Sequence, residues 1–234
     1  MRTHLLMSTS ASTSGPAITG EETAPLCLIY SFLLHACGLD HYKRIAITLL
    51  GDNEDEVVTR SPGKKIAVAV RHPLPEDIAA KDHEERNKAF LEVIHAGLLR
   101  VAAFEHKLDA GVLESIRKRM KSDLSFEFAC LSAMMGPVQA TLRVHADMDR
   151  LDYYVLVVEG GRIKFKLWIY SRSTSGVHVA DVLLNMVWKD ENELVISGKG
   201  MEVEVHVLIQ EGRAWSRRVG RIGKVRRARK EVMA

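Results

Sequence analysis

The chain has 234 residues, of which 47% are hydrophobic and 27% are charged, and its formal net charge is +3 at pH 7. This composition excludes a disordered chain and is sufficient for a core in one large domain or two small ones. The most apolar stretch, residues 25–39, contains His35 and is shorter than the roughly 20 residues of a transmembrane helix. No transmembrane segment is therefore predicted.

The first 25 residues carry one arginine, no sustained apolar block and a run rich in Ser, Thr, Gly and Pro. This pattern is a poor fit to a secretory signal, and it predicts a disordered polar tail over residues 1–25. Cys27, Cys37 and Cys130 show no CxxC spacing and lie in apolar surroundings. Reduced thiols in such surroundings favour a reducing compartment, so we expect a cytoplasmic location.

The first part of the folded region is predicted to be a small antiparallel sheet. Alternating apolar residues indicate strands near 26–34, 43–50 and 64–71, and the segments 51–56 and 61–63 have the composition of turns.

A two-helix segment is predicted over about 83–121. Asp82, followed by Glu85, is typical of a helix N-terminus, and apolar residues then recur at helical spacing to Phe104. Asp109 is a second N-cap candidate, and it precedes a helix whose predicted inner face is Leu113, Ile116 and Met120.

After residue 123 the alternation indicates strands again. Gly160 and Gly161 separate two alternating runs, as in a two-residue hairpin, and a second hairpin is predicted around 198–200. The predicted fold is α+β: antiparallel sheet or sheets, the central helices packed on the apolar face, and a C-terminal β-meander, all in a single domain over 26–210.

Charge is distributed unevenly along the chain. Residues 213–230 contain nine Lys or Arg and no acid, whereas residues 1–212 contain 24 basic and 29 acidic residues, a net of −5. We interpret residues 211–234 as a basic C-terminal tail that makes nonspecific polyanion contacts, with Trp215 as a stacking candidate. A solubilising tail, a membrane-surface contact or docking on the acidic body are the alternatives. The candidate nucleic-acid or polyanion residues are Arg217, Arg218, Arg226, Arg227, Arg229 and Lys230.

The stretch "RVHADMDR" (143–150) raises the question of a metal site. His145, Asp147 and the distant His206 have the ligand order of the facial triad in non-haem iron oxygenases, and Arg213 or Arg217 could then bind the carboxylate of a 2-oxo-acid cosubstrate. Polar residues at the solvated end of a strand explain the same pattern, and we favour that interpretation.

Motifs for other chemistry are absent from the sequence: GxSxG, GxGxxG and GxxxxGK[ST] do not occur. We therefore predict no cofactor and assign no catalytic residue. The leading hypothesis is a soluble binding or interaction protein with an unknown protein partner. The alternatives are a metal-dependent enzyme using His145, Asp147 and His206, and a nucleic-acid-associated protein acting through the basic tail.

Overall fold

A computed structural model describes most of the chain, and its contacts divide the molecule into two compact units. The first unit consists mainly of residues up to 124, and the second mainly of those after it. The single-domain interpretation of 26–210 stays a prediction. The described residues are 3–10, 18–51, 53–75, 77–174, 185–198, 203–210 and 213–220.

The first unit is a four-stranded mixed sheet with helices packed against it. The strand order is β1-β2-β4-β3; β1, β2 and β4 pair in parallel and β3 is antiparallel to β4. The antiparallel sheet expected here is therefore wrong for the pairs β1–β2 and β2–β4. The elements are β1 (His4–Thr9), α1 (Gly20–Ala36), β2 (Arg44–Leu49), β3 (Val57–Ser61), β4 (Lys65–Val70), α2 (His83–Glu105) and α3 (Ala110–Ser122).

The strand predicted near 26–34 is wrong, because this segment belongs to α1. A capping box fixes the start of the helix: the Thr19 hydroxyl accepts from the Glu22 backbone N–H, and the Glu22 carboxylate accepts from the Thr19 N–H. The helix is apolar on nearly all sides, because most of its length is buried and few positions face water. A short run of this kind does not distinguish a buried helix from a buried strand.

The prediction that residues 1–25 form a disordered tail is wrong for His4–Thr9, which form strand β1. Leu5 and Met7 point into the core, and α1 covers the free edge of the strand. The Leu5 N–H donates to Ser31 Oγ at 3.2 Å, and the Thr23 hydroxyl donates to the Met7 carbonyl at 3.4 Å. These contacts satisfy backbone groups that an edge strand otherwise leaves open to another chain.

The two-helix prediction is confirmed. Asp82 and Asp109 accept from the backbone N–H of Glu85 and Val112, both at 2.8 Å. The described residues include no helix that is both long and apolar enough to cross a membrane. Phe104, the last residue of the apolar repeat predicted for the first helix, is not buried: 52% of its surface is exposed.

Replacing Asp109 with alanine is expected to destabilise the first unit by about 1 kcal/mol, because the Val112 N–H loses its side-chain acceptor. Chemical denaturation followed by circular dichroism measures this change. Asp109→Asn retains an acceptor oxygen and serves as the control. A loss in the alanine variant no larger than that in the asparagine variant would show that the cap does not contribute.

The second unit contains two four-stranded antiparallel sheets, which confirms the α+β class and the C-terminal meander. Their strand orders are β5-β6-β7-β8 and β12-β11-β10-β9; β5 lies beside β9, and β8 lies beside β12. The strands are β5 (Phe126–Met135), β6 (Val138–Ala146), β7 (Arg150–Glu159), β8 (Arg162–Ser173), β9 (Asn185–Asp190), β10 (Glu193–Ser197), β11 (Val203–Gln210) and β12 (Arg213–Gly220).

The predicted hairpin at Gly160 and Gly161 is confirmed: both residues have positive φ angles, 56° and 78°, which the two-residue turn requires. Each sheet has one apolar face, illustrated by Leu142 and Val144 on β6 and by Val205 and Val207 on β11, all fully buried. Alternate residues on these strands therefore lie on an outer face.

The basic segment begins inside this sheet structure. Residues 213–220, which the sequence interpretation placed in the C-terminal tail, form β12 and pair with β11. The alternation of Arg213, Trp215 and Arg217 with smaller residues suits a strand, but the density of positive charge hid this pattern. Residues 221–234 lie outside the described part of the chain.

Candidate functional site

The residues of the predicted metal site have separate partners. His145 Nε2 lies 3.2 Å from the Ser125 hydroxyl, and Asp147 Oδ1 accepts from the Asp149 N–H at 2.8 Å. The second contact is the local hydrogen bond of an Asx turn, which is the structure that the alternative interpretation of "RVHADMDR" implies.

His206, the third predicted ligand, lies on β11 between two carboxylates. Its Nδ1 is 2.5 Å from Glu193 Oε1, and its Nε2 is 2.5 Å from Glu204 Oε1. Each ring nitrogen is therefore within hydrogen-bond distance of a carboxylate oxygen. Hydrogen bonds from His206 and then Lys189 lower the pKa of Glu193. His206 thus belongs to a hydrogen-bonded cluster with these two acidic neighbours.

Across the described residues, no group of three or more His, Cys, Asp or Glu side chains is arranged to hold a metal ion. His145 and His206 lie in different sheets of the second unit. The metal hypothesis stays a prediction.

A second cluster, buried among the helices of the first unit, resembles a nucleophile, base and carboxylate in its connectivity. The Tyr30 hydroxyl lies 3.1 Å from His95 Nδ1 and 3.2 Å from the Leu113 carbonyl, and His95 Nε2 lies 3.2 Å from Glu114 Oε2. Burial lowers the pKa of His95, which favours the neutral ring. Burial also raises the pKa of Tyr30 well above its usual range. Tyr30 is fully buried, so a substrate has no access to it.

Arg117 completes this cluster on its outer side. Its guanidinium contacts both oxygens of Glu92 at 2.8 and 3.1 Å, and it also contacts Glu114 at 2.8 Å. Burial alone would raise the pKa of Glu92, but hydrogen bonds from Lys121 and Arg117 outweigh it and lower the pKa. The cluster ties α1, α2 and α3 together, and we interpret it as structural. Its residues come from three separate helices, so no local sequence motif marks it.

The outer face of the second unit carries a different kind of surface at β8 and β12. Trp168 and Trp215 are 43% and 37% exposed, although large aromatic side chains are usually well buried. Exposed cations lie two residues from these indoles on the same strands: Lys166 on β8, and Arg213 and Arg217 on β12. We call Lys166, Trp168, Arg213, Trp215 and Arg217 the tryptophan surface.

The Trp168 ring is fixed by hydrogen bonds on its own sheet. Its Nε1–H donates to Ser171 Oγ at 3.0 Å, and the Ser171 hydroxyl donates to Asp152. The indole N–H is therefore already satisfied, and the exposed part of the side chain available to a ligand is mainly the ring. On the same outer face, Lys166 Nζ lies 3.9 Å from the centre of the Tyr154 ring. This cation–π contact holds the ammonium group close to the strand.

The cations of the tryptophan surface have no neutralising carboxylate in the part of the chain that the structure describes. Among the described residues, none lies within salt-bridge distance of Lys166, Arg213 or Arg217. Other cations of this unit do have such partners: Lys164 pairs with Glu159 at 2.6 Å, and Lys189 pairs with Glu193 at 3.1 Å. The positive charge of the tryptophan surface is therefore available to an external anion.

The sequence-predicted polyanion residues fall into two groups. Arg217 is exposed on β12, and Arg218 belongs to the same strand, but its side chain is not described. The others, Arg226, Arg227, Arg229 and Lys230, lie outside the described residues. Sequence reasoning missed Lys166 and Trp168. The signal was the alternation in "KFKLW" (164–168), which places a cation and an indole on one face of the strand.

Comparison with protein-family models, curated proteins and solved structures finds no significant match to this chain. The molecule is an α+β protein whose second unit exposes tryptophans and cations on its outer sheet faces.

Proposed function

We propose that this chain acts by binding, without a catalytic centre, and that its ligand is a polyanion. The observation that carries the proposal is the tryptophan surface, where Lys166, Arg213 and Arg217 are exposed beside two exposed indoles and have no carboxylate partner among the described residues. Cations without a carboxylate partner are free to neutralise an anionic ligand, and binding then releases the counterions of that ligand.

The basic sequence beyond β12 supports the same ligand class. Residues 221–230 contain six Lys or Arg and no acid, and they directly follow the strand that carries Arg213 and Arg217. A ligand attracted by one segment is thus attracted by the other. The protein partner that the sequence interpretation places first stays a prediction, as does the cytoplasmic location. The three cysteines are free thiols, which supports a reducing compartment.

Retention on a heparin column tests the proposal, since heparin is a polyanion without bases. We expect the full-length protein to be retained at low salt and to elute as the salt concentration rises. The triple variant Lys166→Gln, Arg213→Gln, Arg217→Gln is expected to elute at lower salt than the wild type. A second triple variant, Arg226→Gln, Arg227→Gln, Arg229→Gln, measures the contribution of the C-terminal sequence.

A matched control removes three exposed cations from the first unit: Lys43→Gln, Arg44→Gln, Lys118→Gln. It lowers the net charge by the same amount, so a shift in this variant measures the effect of charge alone. Failure of the wild-type protein to bind at low salt would contradict the proposed function. Equal elution of the surface variant and the control would contradict the tryptophan surface as the binding site.

A further inference from the structure

We infer that the polyanion is a single-stranded nucleic acid whose bases stack on Trp168 and Trp215. This inference rests on the proposed function and assigns its ligand class. Cations alone are enough to bind a sulfated sugar or a phosphate surface. The two exposed indoles add flat aromatic rings beside the cations, on which unpaired bases can stack.

The alternation along β12 fits a chain of phosphates and bases. Arg213, Trp215 and Arg217 lie on one face because successive side chains in a strand point to opposite sides, and Ser216 between them is buried. Neighbouring members of the set are about 6.6 Å apart along the strand. A cation therefore flanks the indole on each side, where the phosphates on either side of a stacked base can contact it.

Strand β8 repeats this arrangement. Lys166 and Trp168 share its outer face, and β8 lies beside β12 within the same unit. The hydrogen bond from Trp168 to Ser171 fixes the ring before a ligand arrives, which reduces the entropy lost on binding. β8 and β12 are edge strands of the two sheets, and each exposes one indole, so each strand offers one stacking position.

A single strand fits this surface better than a duplex does. Bases in a duplex are already stacked on each other, whereas unpaired bases are free to stack on aromatic side chains displayed by an antiparallel sheet. Reading the major groove of a duplex instead requires a helix or a two-stranded ribbon that enters the groove. The exposed cations and indoles described above lie on the faces of four-stranded sheets.

Quenching of tryptophan fluorescence provides the test. The chain has three tryptophans, and Trp188→Phe leaves only the two on the tryptophan surface. In this full-length background we expect 12-residue oligo(dT) to quench the emission and to bind at least tenfold more tightly than a duplex of the same length. Heparin is expected to bind with little quenching, because it has no bases to stack.

Individual substitutions locate the stacking. Trp168→Leu and Trp215→Leu are each expected to weaken oligo(dT) binding on the order of tenfold, while elution from heparin is unchanged. The phenylalanine variants retain an aromatic ring and should remain within about threefold of the parent, which separates stacking from a loss of folding. Phe104→Leu, which alters an exposed aromatic of the first unit, serves as the control and should not change binding.

The outcomes separate the two proposals. Heparin binding that depends on the surface cations, together with no preference for oligo(dT), would overturn the nucleic-acid inference and leave the polyanion function intact. Equal binding of oligo(dT) and a polyglutamate peptide, or leucine variants that bind as the parent does, would also overturn the inference. A wild-type protein that binds neither heparin nor oligo(dT) would overturn both proposals.

Discussion

Replacing Glu105 with glutamine is expected to lower the free energy of unfolding by about 2 kcal/mol at pH 7. The Glu105 side chain is only 2% exposed. Its carboxylate accepts from the Tyr42 hydroxyl at 2.8 Å, from Arg60 Nε at 2.6 Å and from Lys107 Nζ at 2.9 Å. Glutamine keeps the shape, but it removes the charge and turns an amide donor toward groups that are themselves donors.

The same contacts give the protein an acid-sensitive stability. Burial would raise the pKa of Glu105, but hydrogen bonds from Lys107, Tyr42 and Arg60 outweigh it and lower the pKa to about 2. Because the folded pKa is below the unfolded one, the contribution is complete above about pH 4.5 and is lost as the pH falls through about 2. We expect the stabilities of the wild type and of Glu105→Gln to converge over that range.

Urea denaturation at pH 7, 4.5, 3 and 2 measures both effects. Glu84→Gln is the matched control, because Glu84 is 73% exposed and makes a helical ion pair with Lys88. An exposed pair of this kind contributes at most roughly 0.5 kcal/mol. A Glu105→Gln variant that behaves like this control, or a stability difference that persists unchanged to pH 2, would contradict the buried network.

Elements with local signals were the ones that the sequence could predict. The starts of α2 and α3 follow from Asp82 and Asp109, and the tight hairpin follows from two adjacent glycines. Helix α1 and strand β1 were missed, although Thr19 and Glu22 form a capping box, which is a local signal for the start of α1. The helix has no polar face along most of its length, and the strand is stabilised by parallel pairing with β2, about 40 residues away.

In the candidate site, too, local features could be predicted and features that depend on tertiary contacts could not. A cluster of positive charge is visible in composition, so Arg217 was predicted, but the neighbouring positions of β8 and β12 are a property of the tertiary fold. Lys166 and Trp168 therefore could not be joined to Trp215 from the sequence. Conversely, His145 and His206 share a polar, outward position in the sequence pattern. The structure places them in separate sheets, each with its own partners.

The second large effect is expected at Gly97, where α2 contacts the central strand β2. A Cβ atom at this position would lie 2.8 Å from Ile47 Cγ2 and 3.0 Å from Ile47 Cγ1 and Cδ1. Ile47 is fully buried on a strand held between β1 and β4, so neither it nor the strand has free space to move. Alanine is the better helix former by about 1 kcal/mol, but overpacking a core costs roughly 1–3 kcal/mol. We expect Gly97→Ala to destabilise the protein by about 1–2 kcal/mol.

A double-mutant cycle with Ile47→Ala tests this cause directly. The single variant Ile47→Ala should cost roughly 2–5 kcal/mol, because it leaves a cavity. In its background, Gly97→Ala should become neutral or stabilising by up to about 1 kcal/mol, since the clash is gone and only the gain in helix propensity remains. Gly20→Ala is the control: its Cβ would meet its nearest neighbour, the Met7 carbonyl oxygen, at an ordinary 3.8 Å. If Gly97→Ala has the same effect in both backgrounds, close packing against Ile47 is not the reason for glycine at this position.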